Sequence, residues 1–397
     1  MKEQIDIRDL ELNALLEITQ AINNNLSEKD LYRIYKFTLL GDLKVARLAM
    51  FVLNEGWECM VHFGQKDTDW ENVALPAKFQ ELDEAEKVDE ADPFDEFDVV
   101  FPVKHKNRLL AVVFLGGNRG EELAVDTTFL RALTNILIVA IENKRLARKQ
   151  IEQEVFRKEM EIAKKVQNFL FPTTLPSTSR LKIDAVYLPH YEVGGDYYDY
   201  IPLSEDKFVI CIADVSGKGV PAALLMSNFQ ASLRTLIRKT EDLDEIVTEL
   251  NRSTYFSSNG ENFITVFIGI FDFSVRQFKY ANCGHNPTFI FQQESIYQLQ
   301  SGTTVLGMFD PLPFLDTETI VDLDQFLFFA YTDGLTETFN SEDEQFGLDR
   351  LVELLRNYKE EELKILHQHI FKALDDFRKE QPFQDDITMI SCQVDAL

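Results

Sequence analysis

Apolar residues recur every three or four positions over residues 10–40, at Leu12, Leu15, Leu16, Ile18 and Ile22 and again at Leu31, Ile34, Tyr35 and Leu39. That spacing predicts two helices. Ser27 lies three residues before Asp30 and is placed to cap the second. The period then drops to two. Ala46–Leu53, Glu58–Phe63, Val99–Val103 and Leu109–Gly116 read as strands, broken by turn sequences at Asn54 and Lys106. Between them, residues 81–98 carry ten acidic side chains and Pro93, which predicts a solvated loop or, alternatively, a lid over a ligand pocket. Trp57, Trp70 and the many phenylalanines are expected in the core.

From Asp126 the helical signal runs to about Leu170 without Pro or Gly. At 1.5 Å per residue that is a rod of about 65 Å. Its apolar or small positions are Leu130, Leu133, Leu137, Ala140, Ala147, Ile151, Val155, Ile162, Val166 and Phe169, a seam with a stutter near Ile151 and interrupted by Asn143 and Lys144. A parallel two-stranded coiled coil is expected, and a helix packed on its own domain is the alternative. Phe171-Pro172 ends the rod, and residues 176–179 (P-S-T-S) form a connector. Beyond it, Lys207–Ala213 and Phe326–Tyr331 are apolar on both faces and predict buried strands, and Ile387–Val394 is the last strand. A helix over Ala222–Ile237, with Pro221 in its first turn, should pack Leu224, Leu225, Phe229, Leu233 and Leu236, with Met226 as packing.

The 397 residues suffice for two or three domains. With 40 basic and 67 acidic residues, the net charge of -27 repels phosphate backbones, so nucleic acid and anionic membranes are not expected partners. No apolar run reaches the roughly 20 residues of a membrane helix, and the N-terminus lacks a signal-peptide core. Cys59, Cys211, Cys283 and Cys392 show no metal or disulfide spacing, as expected of reduced thiols in a cytoplasmic protein.

Four stretches place an aspartate beside a glycine or at a strand end: G-G-D from Gly194, A-D-V-S-G-K-G from Ala213, T-D-G-L-T-E from Thr332 and D-D-I-T from Asp385. Several carboxylates without Cys or His at ligand spacing select hard cations such as Mg²⁺ or Mn²⁺. Two such ions can activate a water and clamp a phosphoryl group. Asp196 and Asp214, 18 residues apart, suit two strands of a hairpin presenting both carboxylates at one rim.

Together with A-N-C-G-H-N-P from Ala281, these stretches closely resemble the SpoIIE-type branch of the PPM (type 2C) metal-dependent serine/threonine protein phosphatases, over about residues 160–397. The resemblance implies a β-sandwich flanked by helices and two ions, Mn²⁺ or Mg²⁺, held by Asp196, Asp214, the Val215 carbonyl, Asp333 and one of Asp385 and Asp386, with Asp385 ranked first. Asp196, Asp214 and Asp333 are then the catalytic carboxylates, and Asp199 and Glu337 supporting neighbours. It implies as substrate a phosphorylated anti-sigma-factor antagonist in bacterial partner switching, with a helix at residues 161–172 that carries regulation. Ser216 stands where animal relatives place a histidine acid, and Lys218 where many SpoIIE-type relatives have His, so no general acid is evident. His285 is expected to be structural, and His367 and His369, two apart on a helix, to face apart. A catalytically inactive pseudophosphatase serving as a signalling module is the alternative, disfavoured because all four motif aspartates are present. A diguanylate-cyclase reading of G-G-D fails on Tyr197-Tyr198.

The first 150 residues resemble a GAF domain in their order of elements. The expected architecture is α+β: a GAF-like α/β sensor at 1–145, a helical coiled-coil linker at 126–172 and a PPM-type phosphatase domain at 173–397. The expected partners are the phosphoprotein substrate, an unidentified GAF ligand or regulatory protein, and a second copy in a parallel homodimer.

Overall fold

A computed structural model describes residues 2–43, 45–65, 69–70, 72–89, 94–117 and 126–395. Its contacts divide into two units, Met1–Val155 and Phe156–Leu397. In the first, helices α1 (Lys2–Asn23) and α2 (Glu28–Phe37) follow the sequence period, and the Ser27 hydroxyl caps α2 by accepting the Asp30 amide at 3.1 Å. Strands β1 (Arg47–Leu53), β2 (Trp57–Phe63), β3 (Glu86–Lys87), β4 (Val99–His105) and β5 (Arg108–Gly116) form an antiparallel sheet in the order β2-β1-β5-β4-β3. One face packs Leu48, Met50 and Val113 against Ile18, Leu31 and Tyr35 of the helices.

On the other face the described acidic side chains of the 81–98 segment are exposed, as expected of a solvated run, while its larger apolar residues turn inward. Asp95 and Glu96 are exposed, but Leu82, Phe94 and Phe97 turn under the sheet and join Phe51, Trp70, Phe79 and Phe114 in an aromatic core. Phe94 stacks on Phe114 with centroids 4.5 Å apart. Pro93 lies outside the described residues.

Helix α3 (Thr127–Asn168) is continuous for 42 residues. Its first turns are not a free seam: Leu130, Leu133 and Leu137 belong to the core of the first unit. Lys144 does not interrupt a seam either, because its ammonium ties down the turn between α1 and α2 by donating to the Asn25 and Leu26 carbonyls at 3.1 and 2.7 Å. Farther along, Ile151, Val155, Ile162, Val166 and Phe169 are exposed.

The second unit contains β6 (Leu181–Leu188), β7 (Tyr197–Pro202), β8 (Lys207–Val215), α4 (Val220–Ile237), α5 (Leu243–Ser258), β9 (Ile264–Asp272), β10 (Gln277–Cys283), β11 (Thr288–Gln292), β12 (Ser295–Leu299), β13 (Gly302–Thr303), β14 (Glu318–Ile320), β15 (Phe326–Tyr331), α6 (Asp333–Thr336), α7 (Leu348–Tyr358), α8 (Leu363–Arg378) and β16 (Ile387–Val394). One sheet runs β13-β10-β9-β8-β7, with β14 beside β10, and the other β12-β11-β15-β16-β6. Strand β8 shows why both of its faces are apolar. Phe208, Ile210 and Ile212 meet Phe328 and Ile390 between the sheets, while Val209, Cys211 and Ala213 meet Met226, Phe229 and Leu233 of α4. Helices α7 and α8 cover the outer face of the second sheet through Leu351, Leu355, Leu366 and Ile370. Leu224, expected in the core, is 64% exposed; Met226 takes the inward place. No helix among the described residues is long and apolar enough to cross a membrane.

Candidate metal centre

The β7–β8 hairpin pairs Tyr197 with Ala213, which brings Asp196, just before β7, beside Asp214, near the end of β8. On the other sheet β15 pairs with β16, Tyr331 opposite Met389. Asp333 therefore leaves β15 where Asp385 and Asp386 enter β16. Two carboxylates from one sheet and three from the other meet at one end of the sandwich.

Burial is graded across the cluster. Asp196 is 1% exposed, and its carboxyl is held well above the usual range by burial first, then by the charges of Asp214 and Asp386. Burial, with Asp333 and Asp385 adding to it, pushes Asp214 up to about 7. Asp333 is pushed up to about 6 by burial and by the charges of Glu337 and Asp385. Acidic groups that raise one another in this way are relieved by a proton or a cation. An all-oxygen donor set suits a hard divalent ion, so the residues fit the group their sequence motifs imply. Among the described residues, no three such side chains are already gathered as a ready-made cage.

Asp196 is oriented by two hydroxyls that sequence reading missed. Thr332 donates to its Oδ2 at 2.8 Å, Thr388 donates to the same oxygen, and the Thr388 amide returns to the Thr332 hydroxyl at 2.9 Å. Both lay in view inside T-D-G and D-D-I-T. The neighbouring aspartates divide the work. Asp386, 9% exposed, accepts the His190 amide on Oδ1 at 2.7 Å and the Gly195 amide on Oδ2 at 2.9 Å, fastening the loop that leads to Asp196. Asp385 is 43% exposed and pairs with Lys218 at 2.7 Å, which leaves it the more available ligand of the two.

Two glycines are required by close approach. A Cβ on Gly194 would lie 2.0 Å from Asp386 Oδ2, and one on Gly334 2.0 Å from the Asp386 carbonyl. Gly194 is gripped from a third side. Gln167, 5% exposed near the end of α3, donates to its carbonyl at 2.8 Å and accepts its amide at 3.3 Å. The Val215 carbonyl lies against Gly195, where a Cβ would come within 2.8 Å of it.

Asp199 takes no part in the cluster. It is buried on the helix side, where Arg234 binds it through Nε and Nη2, both at 2.8 Å, and the Tyr197 hydroxyl donates to it. Glu337 is exposed. The Ser216 hydroxyl accepts the Phe263 amide at 2.9 Å, an architectural role. His285 contacts the Thr265 hydroxyl through Nδ1 at 2.8 Å, and burial pushes its imidazole down to about 4, so it is neutral. His367 is buried, with Nε2 2.7 Å from Ser391, whereas His369 stacks on Tyr358; the two face apart as expected.

Residues 204–395 match the family description Stage II sporulation protein E (SpoIIE). The chain is 31% identical over 245 residues to phosphoserine phosphatase RsbU of Bacillus subtilis, covering 60% of this chain and 71% of that protein. Protein IcfG of Synechocystis sp. is 30% identical over 307 residues, 69% of this chain, and this chain spans 46% of that relative's length. Among solved structures, the SiaA-PP2C domain of Pseudomonas aeruginosa superposes with a TM-score of 0.56 at 22% identity, over 62% of this chain and 99% of that domain, which shows a shared fold.

Proposed function

Since this chain belongs to the SpoIIE family of PP2C-type phosphatases, we propose that it hydrolyses phosphoserine or phosphothreonine esters of a protein, using two Mn²⁺ or Mg²⁺ ions. The observation that carries this reading is the convergence of five aspartates from two sheets at one end of the sandwich, with Asp196 and Asp386 buried and Asp385 open to solvent. Asp196, Asp214, Asp333 and Asp385, with the Val215 carbonyl, would hold the ions, and Asp386 would brace the loop behind them. Bound there, divalent ions supply a water activated at neutral pH and neutralise the phosphoryl oxygens. The chain's own part is placement. Thr332 and Thr388 turn Asp196, and Asp386 and Gln167 fix the Gly194–Gly195 turn.

The substrate we propose is a phosphorylated anti-sigma-factor antagonist, in keeping with the relation to RsbU. Residues 1–145 act as a GAF-like sensor of an unidentified ligand or regulatory protein, residues 126–172 as the linker and 173–397 as the phosphatase domain. The two-layered first unit and the exposed apolar positions from Ile151 to Phe169 support a parallel homodimer through the second half of α3. The test is turnover of a phosphoserine protein before and after metal-free dialysis. Activity should vanish and return with Mn²⁺ or Mg²⁺, and D196N and D214N should each lose at least about a hundredfold. Full turnover in excess chelator would overturn the metal reading.

A further inference from the structure

The loop after β8 turns back over the carboxylates. Lys218 sits between Gly217 and Gly219, whose φ angles of +92° and +71° lie in the left-handed region open to glycine. The turn is loosely packed: a Cβ on Gly219 would meet nothing within 4 Å, and one on Gly217 only Asn262 Oδ1 at 3.9 Å. What holds Lys218 is its own ammonium, which pairs with Asp385 at 2.7 Å and donates to the Gln384 carbonyl at 2.7 Å. The side chain is 44% exposed on a flexible four-carbon stem, so it can leave without opening a core.

We propose that Lys218 is a tethered counter-ion of the aspartate cluster, which holds Asp385 until a divalent ion displaces it and thereby sets how weakly that ion is bound. The inference rests on the metal reading above. It follows from charge and position. Asp385 is the most exposed of the proposed ligands and the one already paired with a cation, so an ion that uses it must compete with an ammonium on the loop that follows Asp214 and β8. An ion bound to Asp196 and Asp214 alone meets no such competitor. An ion that uses Asp385 would therefore be held less tightly than it would be without Lys218, and its binding would free the Gly217–Gly219 turn from that pair.

The experiment is a Mn²⁺ titration of the full chain followed by calorimetry and by the electron paramagnetic resonance of free Mn²⁺, on wild type, K218M, K218Q and K218R. Removing the ammonium should tighten the Mn²⁺ site that uses Asp385 by about tenfold, the size expected of one partly screened charge. K218R keeps the charge and should bind like wild type. K218Q drops the charge but retains a donor for the Gln384 carbonyl, so it separates electrostatics from loop anchoring. Equal Mn²⁺ affinities in wild type, K218M and K218Q would overturn the counter-ion role while leaving the metal reading intact. A wild-type chain that binds no Mn²⁺ would overturn both.

Discussion

Two hydroxyls end on one oxygen of Asp196, and that constraint decides what substitutions there do. Thr388→Val keeps the shape of the side chain and removes one donor to a buried acceptor. It should cost on the order of 1–3 kcal/mol of stability and about 10–100-fold in turnover or metal affinity, read by denaturant midpoint and Mn²⁺ dependence. Titration separates two further residues. Asp214 folds with a value near 7 against 3.8 when free, so the ion-free folded state binds more protons between those values and loses stability as pH rises through them. A divalent ion relieves that repulsion and competes with the proton, so Mn²⁺ should raise the melting temperature more at pH 8 than at pH 6; an equal increment would contradict it. His285 has the opposite sign. Its folded value of about 4 lies below the 6.5 of the free imidazole, so its contribution is intact above pH 6.5 and lost as pH falls toward 4. In H285Q the acid-side decline should be shallower by up to about 1.4 kcal/mol per pH unit. The aspartates were legible because glycine and strand-end positions flag them in sequence. Their threonine supports were not, since a strand threonine reads equally well as β propensity.

At the scale of elements, α3 shows what periodicity can and cannot reveal. Its length and continuity were legible from the 45 residues 126–170, without Pro or Gly. Its division of labour was not, because Leu130, Leu133 and Leu137 share the spacing of Ile151 and Val155, yet the first three are buried in a domain core and the last two are exposed. Lys144 and Gln167 escaped for a related reason: a polar residue on a helix carries no mark of the distant backbone it will bind. Gln167 leads to a specific expectation. Gln167→Ala removes both bonds to Gly194, so it should lower turnover and cost about 1–3 kcal/mol. Ile151→Glu should leave the isolated chemistry alone. If Q167A matches wild type in both stability and rate, α3 does not govern the G-G-D turn through this contact.

For the whole molecule, the switch between helical and strand periods marked the helices and strands, and the sandwich was expected from the family resemblance, while the sheet orders depend on long-range pairings that no local pattern encodes. The filling of the outer face of the first sheet by Phe94 and Phe97 was hidden by the charges around them. Exposure of Ile151 and Val155 makes assembly testable without disturbing a core. Ile151→Glu with Val155→Glu should halve the mass in light scattering, whereas Leu137→Glu should unfold the first unit. An unchanged dimer in the double variant, or a monomeric wild type, would remove the linker interface. The position of β16 reaches beyond the finished protein. It lies between β15 and β6, paired to both, and it brings Asp385 and Asp386 with it. While the ribosome is still making residues 385–394, β6 has no neighbour and the cluster lacks two of its five carboxylates. If the cluster holds the metal as proposed, a nascent chain in which every other strand is complete would lack part of the site, and synthesis itself would keep the activity off until β16 is in place.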